Sequence, residues 1–140
     1  MTTAVEETLV LVKPDGVARS LTGEIVRRIE AKGYSLVDIR MLQADRELLA
    51  KHYAEHEGKP FYEPLVEFME SGPIVALRVA GNRVIEGFRS LAGTTDPTTA
   101  APGTIRGDLA RDWGLKVQQN LVHGSDSPES AQRELALWFG

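Results

Sequence analysis

The chain has 140 residues, of which 42% are hydrophobic and 26% are charged, and it contains no cysteine. This composition is typical of one globular domain covering residues 1–140, and it excludes a fold held together by disulfides. The 16 basic and 20 acidic residues leave a formal charge of -4, and 6% of the residues are aromatic. A stable nucleic-acid surface is not expected, because such surfaces need concentrated positive charge and stacking rings.

Targeting and membrane segments are not expected either. The N-terminal residues MTTAVEET lack the basic start and apolar centre of a secretory signal. Charges at Lys13, Asp15, Arg19 and Glu24 interrupt the first apolar stretch, so no run approaches the roughly 20 residues that cross a bilayer. The sequence predicts a soluble cytoplasmic protein without a membrane partner.

The first predicted element is a buried strand. Residues 8–12 (TLVLV) are a short β-branched and leucine-rich run that ends at the turn signal KPDG, so the strand delivers Lys13 to its carboxyl end. An amphipathic helix follows, with apolar residues at four-residue spacing: Leu21, Ile25 and Ile29. Either Ser20 or Thr22 is expected to cap this helix.

The next part of the chain predicts a strand and two helices. Residues 35–41 alternate in the pattern of a half-buried strand, and Asp45 can cap the helix behind it. Pro60 is expected in the first turn of a further helix. The apolar residues of that helix have helical spacing: Phe61, Leu65, Phe68 and Met69.

A strand, a helix and a long loop come next. Residues 74–79 predict the strand, and the helix is expected to begin at a cap on Asn82 and to end at Gly93. Residues 94–108 have no usable apolar period apart from a short turn near Ile105. Loops of this length inside compact domains are usually functional or disordered.

The chain ends with a predicted strand and helix. Residues 115–122 alternate like a strand, and the helix is expected to start at Pro128 behind a cap on Asp126 or Ser127. The whole order resembles the βαββαβ split unit with additional helices. It predicts an α+β fold in which an antiparallel sheet is covered on one face.

A histidine stands at the junction of the last predicted strand and the last helix. His123 would face the amide-rich, positive end of that helix, where phosphate is stabilised. Imidazole acts as a nucleophile when one nitrogen keeps its lone pair and the other is hydrogen-bonded, and Glu134 is a candidate partner for that second nitrogen. Taken alone, His123 can equally be a capping or structural histidine.

Cationic and hydroxyl side chains around the long loop favour an anion site. Four of them flank or open the loop: Arg89, Thr94, Thr95 and Arg106. Guanidinium and hydroxyl groups bind phosphoryl oxygens, and Lys13 adds a further cation. Together they predict a focused anion site on an otherwise acidic chain, with a solvated loop as the alternative.

The segment from residue 52 to residue 61 carries two further signals. His52 and His56 fit the pattern H-x-x-E-H, which on one helix would place both rings on one face as zinc ligands. A third ligand has no candidate, so partial burial and surface exposure are the alternatives. Phe61 can offer a flat platform to a nucleotide base, and the Tyr53 hydroxyl can reach the same cleft.

Six strings, in this order, resemble the bacterial type of nucleoside diphosphate kinase: TLVLVKPDG, HYAEHEGKPF, SGPIVAL, AGTTDP, APGTIRGD and NLVHGSDS. The resemblance covers nearly the full chain, and NLVHGSDS is highly specific. It implies a ferredoxin-like α+β fold and ping-pong transfer of the γ-phosphoryl group of a nucleoside triphosphate, usually ATP, to a nucleoside diphosphate through a phosphohistidine. It also implies Mg²⁺ on the nucleotide phosphates with few protein ligands, and a homo-oligomer, either hexamer or tetramer.

The resemblance also implies residue roles. His123 is the nucleophile, which Glu134 orients, and Tyr53 and Ser125 match positions that support the site. Lys13 contacts the ribose and the transferring phosphate. The remaining nucleotide contacts are Asn120 to the ribose hydroxyl, Phe61 to the base, and Arg89, Thr95 and Arg106 to the phosphates. Stacking on Phe61 implies broad base tolerance, because every base has a π-face.

One segment departs from the family pattern. Between Arg106 and Asn120 the chain is longer than is usual in the family, and the extra residues are expected to bulge around residues 109–114. If they shift the loop instead, Arg106 misses the phosphates. A non-catalytic nucleotide- or nucleic-acid-binding module on the same frame is the competing functional hypothesis, because fold alone does not decide function.

Overall fold

The computed structural model describes residues 5–140. Residues 1–4, which begin the segment judged unlike a secretory signal, lie outside this range. The strands are β1 Glu6–Val12, β2 Ser35–Leu42, β3 Ile74–Gly81 and β4 Val122–Gly124. They form one sheet in the order β2-β3-β1-β4, and every neighbouring pair is antiparallel. The predicted α+β fold with βαββαβ order is confirmed.

The described residues also form seven α-helices and one 3₁₀ helix. The α-helices are α1 Pro14–Ala18, α2 Thr22–Ala31, α3 Arg46–His52, α4 Tyr62–Glu70, α5 Val84–Ala92, α6 Ile105–Leu109 and α7 Pro128–Phe139, and the 3₁₀ helix is Ala54–His56. The sequence predicts only turns at α1 and α6. α1 forms because Pro14 is already set for a first helical turn, and α6 forms because the Thr104 hydroxyl accepts the N–H of Gly107 at 2.9 Å.

Helices cover both faces of the sheet, so the prediction of one covered face is wrong. Val10 and Val12 pack with α2, α5 and α6 on one face, whereas Leu9 and Leu11 pack with α3, α4 and α7 on the other. Side chains alternate between the faces of a strand, so the continuous apolar run of β1 serves two cores. The central strand is therefore fixed from both sides, and it carries Lys13 at its end.

Two helix starts differ from the sequence prediction. The predicted caps that do not form are Ser20, Thr22 and Asn82. Leu21 precedes α2 without a side-chain hydrogen bond, and Arg83 precedes α5 with φ at 56°. The carboxylate of Glu6 accepts the N–H of Ile85 at 3.0 Å, so α5 is capped from β1. A cap supplied from a distant strand is invisible to local sequence patterns.

The starts of α3 and α7 follow the sequence prediction. Asp45 and Ser127 accept the backbone N–H three residues further on, at 2.8 and 3.1 Å. α4 begins at Tyr62, beyond Pro60, so the proline lies in the preceding loop and not in the first turn. α7 is the helix that carries Glu134 towards β4.

Residues 115–121 do not form the strand that their alternation predicts. β4 is limited to Val122–Gly124, and Leu115 is exposed rather than packed on the sheet. Leu121 has φ at 73°, which is incompatible with an extended strand and turns the chain away from the sheet. The exposed stretch runs over residues 111–116.

Within residues 5–140, every helix is too short or too polar to pass through a bilayer.

Candidate active site

A pocket of about 990 Å³ lies at the end of the sheet where β1 finishes and β4 begins. Its lining contains nine residues that the sequence analysis assigns to an anion or nucleotide site: Lys13, Tyr53, Arg89, Thr94, Thr95, Arg106, Asn120, His123 and Glu134. Ser125 is buried behind this lining, and Phe61 lies outside it. Residues from seven different parts of the fold thus meet in one place.

A chain of hydrogen bonds runs from the sheet to the imidazole of His123. The backbone N–H of Leu9 donates to the Ser125 hydroxyl at 3.2 Å, and that hydroxyl donates to Glu134 Oε1 at 2.7 Å. The same carboxylate oxygen lies 2.8 Å from His123 Nε2. β4 positions the histidine and α7 positions the glutamate, so the pair is fixed by two packed elements.

The ionisation of Glu134 decides which nitrogen of His123 carries the proton. Burial opposes ionisation of Glu134, but the hydrogen bond and charge of His123 outweigh it, so the pKa of this carboxyl is lowered. An ionised carboxylate accepts hydrogen bonds and cannot donate them, so Nε2 of His123 must be the donor. In the neutral ring, Nδ1 then keeps its lone pair.

His52 and Trp138 lie against this pair, and the sequence analysis assigns this role to neither residue. His52 Nδ1 accepts the indole N–H of Trp138 at 3.0 Å, and the His52 ring packs edge-on against His123 with centroids 4.8 Å apart. Burial, with the neighbouring His123 adding to it, lowers the pKa of His52 to about 3, so its ring is neutral. The sequence analysis gives partial burial as one alternative for His52, and that alternative does not identify Trp138 as its partner.

The pairing of His52 and His56 on one helical face, which the H-x-x-E-H pattern would give, does not form. α3 ends at His52, and His56 lies in the following 3₁₀ helix, so the two rings are not on one helical face. His52, His123 and Glu134 do present possible ligand atoms within 4.8 Å of one another. Within the described residues, hydrogen bonds link His123 to Glu134 and His52 to the Trp138 indole.

Lys13 and Asn120 meet across the pocket floor. Lys13 Nζ donates to Asn120 Oδ1 at 2.9 Å, and Asn120 Nδ2 donates to the backbone oxygen of Thr95 at 2.9 Å. Burial lowers the pKa of Lys13 from 10.5 to about 8, the positive charge of Arg106 adds to this, and Asp15 opposes it. The nearby positive charge of Arg106 and the burial of this ammonium group favour an anion as its partner.

Arg106 lies in the pocket lining despite the longer segment that follows it. Its guanidinium donates to three backbone oxygens, those of Gly93, Asn120 and Val122, at 2.9, 3.2 and 2.6 Å. Burial lowers the pKa of Arg106 to about 10, with the nearby charge of Arg89 adding to it. The side chain therefore ties the loop to β4 and also adds positive charge to the pocket.

The two aromatic residues predicted for the cleft differ in their placement. Tyr53 is buried in the lining, and burial together with the charge of Glu134 raises the pKa of its hydroxyl. Phe61 is 49% exposed just before α4. Its ring lies 5.3 Å from that of His56, which does line the pocket, so Phe61 is at the outer rim.

A histidine with a free nitrogen lone pair, held by a buried carboxylate and opposed by lysine and arginine, defines a protein that handles phosphate groups. Comparisons with known proteins agree. The family model for nucleoside diphosphate kinase matches residues 6–140. Nucleoside diphosphate kinases of Mycobacterium avium and Streptomyces avermitilis are 61% and 59% identical, each over 96% of this chain and 96% of its own length.

Solved structures give the same result. The nucleoside diphosphate kinase of Halobacterium salinarum, solved in complex with CDP, has a TM-score of 0.90 and 48% identity, covering 97% of this chain and 88% of that chain. The chain belongs to the nucleoside diphosphate kinase family. It is an enzyme, a kinase that acts on nucleotides, so the hypothesis of a non-catalytic binding module is wrong.

Proposed function

We propose that His123 is the covalent phosphate carrier of this enzyme, and that the reaction alternates between two nucleotides bound in turn in one pocket. The observation that carries this proposal is the 2.8 Å contact between His123 Nε2 and the ionised Glu134. It fixes the proton on Nε2 and leaves Nδ1 as the nucleophilic atom.

In the first half-reaction, the lone pair of His123 Nδ1 forms a bond to the γ-phosphorus of a nucleoside triphosphate, with ATP as the expected donor. The bond from that phosphorus to the β–γ bridging oxygen breaks, and the nucleoside diphosphate leaves with the electron pair. The ring becomes positively charged as the N–P bond forms, and Glu134 stabilises this charge through Nε2–H. In the second half-reaction, a terminal oxygen of another nucleoside diphosphate attacks the phosphohistidine and restores the ring.

Positioning and positive charge supply most of the catalysis in phosphoryl transfer, because the transition state is loose and its charge is spread over oxygens. Lys13, Arg89 and Arg106 are the cations available in the pocket lining, and the Thr95 hydroxyl lies among them. We assign phosphate contacts to these four residues and a ribose contact to Asn120. Phe61 is assigned to the base, which makes nucleoside di- and triphosphates of any base acceptable substrates.

Mg²⁺ is the expected cofactor, carried on the nucleotide phosphates. The pocket fits such an ion, because Glu55 and Asp126 lie in its lining and carry carboxylate oxygens that Mg²⁺ takes directly or through water. Glu134 is hydrogen-bonded to His123, so we do not assign it to the metal. When bound, Mg²⁺ would supply positive charge that neutralises part of the charge on the nucleotide phosphates.

The decisive experiment uses Mg·ATP labelled at the γ-phosphate. We expect an acid-labile, base-stable label on the enzyme, located at His123 by mass spectrometry and removed by ADP. His123→Ala should abolish both labelling and phosphate exchange. His56→Ala is the matched control, since its label should remain on His123. Exchange by His123→Ala at the wild-type rate, or turnover by an enzyme that never carries the label, would refute the carrier.

We further propose that the enzyme is a homo-oligomer, a hexamer or a tetramer. The support is β2, an edge strand whose outer side pairs with no strand among residues 5–140. Val37, Ile39 and Met41 on it are 52%, 53% and 65% exposed, and such edges are normally covered or charged. A second copy of the same strand, antiparallel about a two-fold axis, is the occupant that satisfies this edge.

The oligomer proposal is tested by sedimentation of the wild type and of Ile39→Glu. The charged variant should sediment as a smaller species, whereas Glu30→Lys, an exposed change on α2, should behave like the wild type. A monomeric wild type would contradict the proposal.

We propose in addition that residues 1–140 form a single catalytic domain and that the enzyme is cytoplasmic. We also propose that it has no stable nucleic-acid or membrane partner, which the acidic charge of the chain supports.

A further inference from the structure

The residue two positions before His123 has an unusual backbone conformation. Leu121 has φ at 73°, and the N–H of Val122 donates to the oxygen of Asn120 at 2.8 Å, which closes a three-residue γ-turn around it. This turn is rare for residues other than glycine and is kept only where the surroundings enforce it. The turn lies directly between Asn120 and His123, so its shape sets how these two side chains face each other.

The surroundings that enforce the turn come from the KPDG segment. The carboxylate of Asp15 accepts the N–H of Leu121 through Oδ2 at 3.1 Å, and the N–H of Lys13 donates to the oxygen of Leu121 at 2.8 Å. Both polar backbone groups of Leu121 are therefore satisfied by one short stretch of chain. Gly16 permits the approach, because a Cβ there would lie 2.8 Å from the side chain of Val12 and 3.2 Å from the Leu121 oxygen.

Asp15 itself is buried and lies outside the pocket lining. Within the described part of the chain, the Oδ1 atom of Asp15 has no hydrogen-bond partner. The carboxylate is therefore held through Oδ2, which accepts the N–H of Leu121. Burying a carboxylate lowers the stability of the fold, because its charge is removed from water, so a compensating role is expected. The sequence interpretation assigned Asp15 to a turn and gave it no role.

We propose that Asp15 is a positioning residue for phosphoryl transfer: its carboxylate holds Leu121 in the strained turn and thereby sets the spacing of Asn120 and His123. Arg106 also restrains the turn, because its guanidinium donates hydrogen bonds to the backbone oxygens of Asn120 and Val122. The inference rests on the proposed role of His123 as phosphate carrier. Without Asp15 the N–H of Leu121 has no acceptor, the turn relaxes to a negative φ, and the imidazole no longer meets the phosphate in line.

The test compares Asp15→Ala with Asp15→Asn by rapid-quench measurement of phosphohistidine formation, at a temperature where both variants are shown to be folded. Asparagine keeps an oxygen that accepts from Leu121, so its rate should stay within about threefold of the wild type. Alanine removes the acceptor, and its rate should fall by a factor on the order of 10 to 100, as expected for a displaced reactive group. Thr8→Val is the matched control, because it removes another buried oxygen without a partner and should not change the rate.

A second measurement separates the turn from general stability. Leu121→Gly adopts a positive φ without strain, so in that background Asp15→Ala should lose less of its rate than it does with leucine. A purely structural role for Asp15 would give the same fold-loss in both backgrounds and would overturn the proposal. Should Leu121→Gly fail to fold, the asparagine and alanine pair decides.

The outcomes are distinguishable from failure of the proposed function. A wild type that forms no phosphohistidine refutes the carrier itself. A wild type that forms it, with Asp15→Ala equally fast, refutes the role of Asp15 alone. Equal slowing by alanine and asparagine also refutes it, because the negative charge beside Lys13 would then matter and not the hydrogen bond to Leu121.

Discussion

The inner end of the pocket and the loop at its outer rim are held in very different ways. At the inner end, Glu134 and Ser125 are 5% and 0% exposed, and both are joined to His123 through hydrogen bonds shorter than 3 Å. At the outer rim, over residues 54–61, Phe61 is half-exposed and its neighbours His56 and Lys59 contact each other at 3.5 Å.

This difference matches the different demands of chemistry and recognition. Transfer of a phosphoryl group requires the attacking nitrogen to lie in line with the breaking bond, and small displacements are costly. Stacking on a base requires only a flat apolar ring at about the right distance. A rigid inner end and an adaptable rim are therefore expected in an enzyme that accepts several bases at one nucleophile.

The largest effect should come from Glu134→Gln, which breaks the inner end. The neutral amide no longer stabilises the positive ring that forms on His123, so kcat should fall by roughly 100-fold or more while nucleotide binding changes little. Steady-state and single-turnover kinetics measure both quantities. Glu129→Gln, an exposed change on the same helix, is the control and should match the wild type. A loss of less than threefold would show that the carboxylate does not orient the nucleophile.

The inner end also shows how far the sequence could predict the site. Apolar period and turn signals predict the strand before Lys13 and narrow the cap of α7 to Asp126 or Ser127, because these patterns depend on near neighbours. The contact of Asp15 with Leu121 joins residues 106 positions apart, and that of Trp138 with His52 joins residues 86 positions apart. Local patterns carry no information on such pairs, so these positioning contacts could only come from the folded chain.

The strand misassigned to residues 115–121 illustrates the opposite error. Apolar and polar residues do alternate in this segment. The hydrogen bonds from Asp15 and Arg106 nevertheless turn the backbone at Leu121, so only Val122–Gly124 pair with the sheet. Tertiary contacts therefore override a local strand preference. His123 is the middle residue of β4, the shortest strand among the described residues.

Phe61→Ala tests the outer rim and should have the next largest effect. Loss of the stacking surface removes roughly 1 to 3 kcal/mol of binding, so KM for nucleoside diphosphates should rise about tenfold, with a smaller change in kcat. Phe61→Trp keeps an aromatic face and serves as the control. Equal kinetics for alanine and wild type would mean that the base is bound elsewhere.

A smaller effect is expected from pH, and it depends on Lys13. Because the pKa of this group is about 8 in the free enzyme, its charge is lost as the pH rises through 8. Bound phosphate favours the charged form, so binding takes up a proton above that pH and KM should rise by at most about tenfold per pH unit. Kinetics between pH 7 and 9 measure this.

Lys13→Arg is the control for the pH prediction, since a guanidinium stays charged over this range and its KM should not follow the same profile. Stability should move in the opposite direction to affinity. Between about pH 8 and 10.5 the unfolded chain binds more protons at Lys13 than the folded chain, so the contribution of Lys13 to the free energy of unfolding rises with pH. A wild-type KM that is flat up to pH 9 would contradict the lowered pKa.

The smallest effect is expected in the exposed stretch over residues 111–116, which overlaps residues 109–114, where the sequence analysis expects the extra residues to bulge. Trp113 is 45% exposed, and its ring centre lies 4.5 Å from the guanidinium carbon of Arg111 and 5.6 Å from that of Arg19. Trp113→Ala should lower the free energy of unfolding by about 0.5 to 1 kcal/mol and change kcat and KM by less than twofold. Thermal unfolding and steady-state kinetics check this.

The reason for the small kinetic effect is the way in which Arg106 is held. Its three acceptors are the backbone oxygens of Gly93, Asn120 and Val122, all of which lie outside the exposed stretch, so loosening Trp113 does not release the guanidinium. A tenfold loss of kcat/KM in Trp113→Ala would show that the stretch restrains the inner end. The rigid part of the molecule would then extend well beyond the pocket.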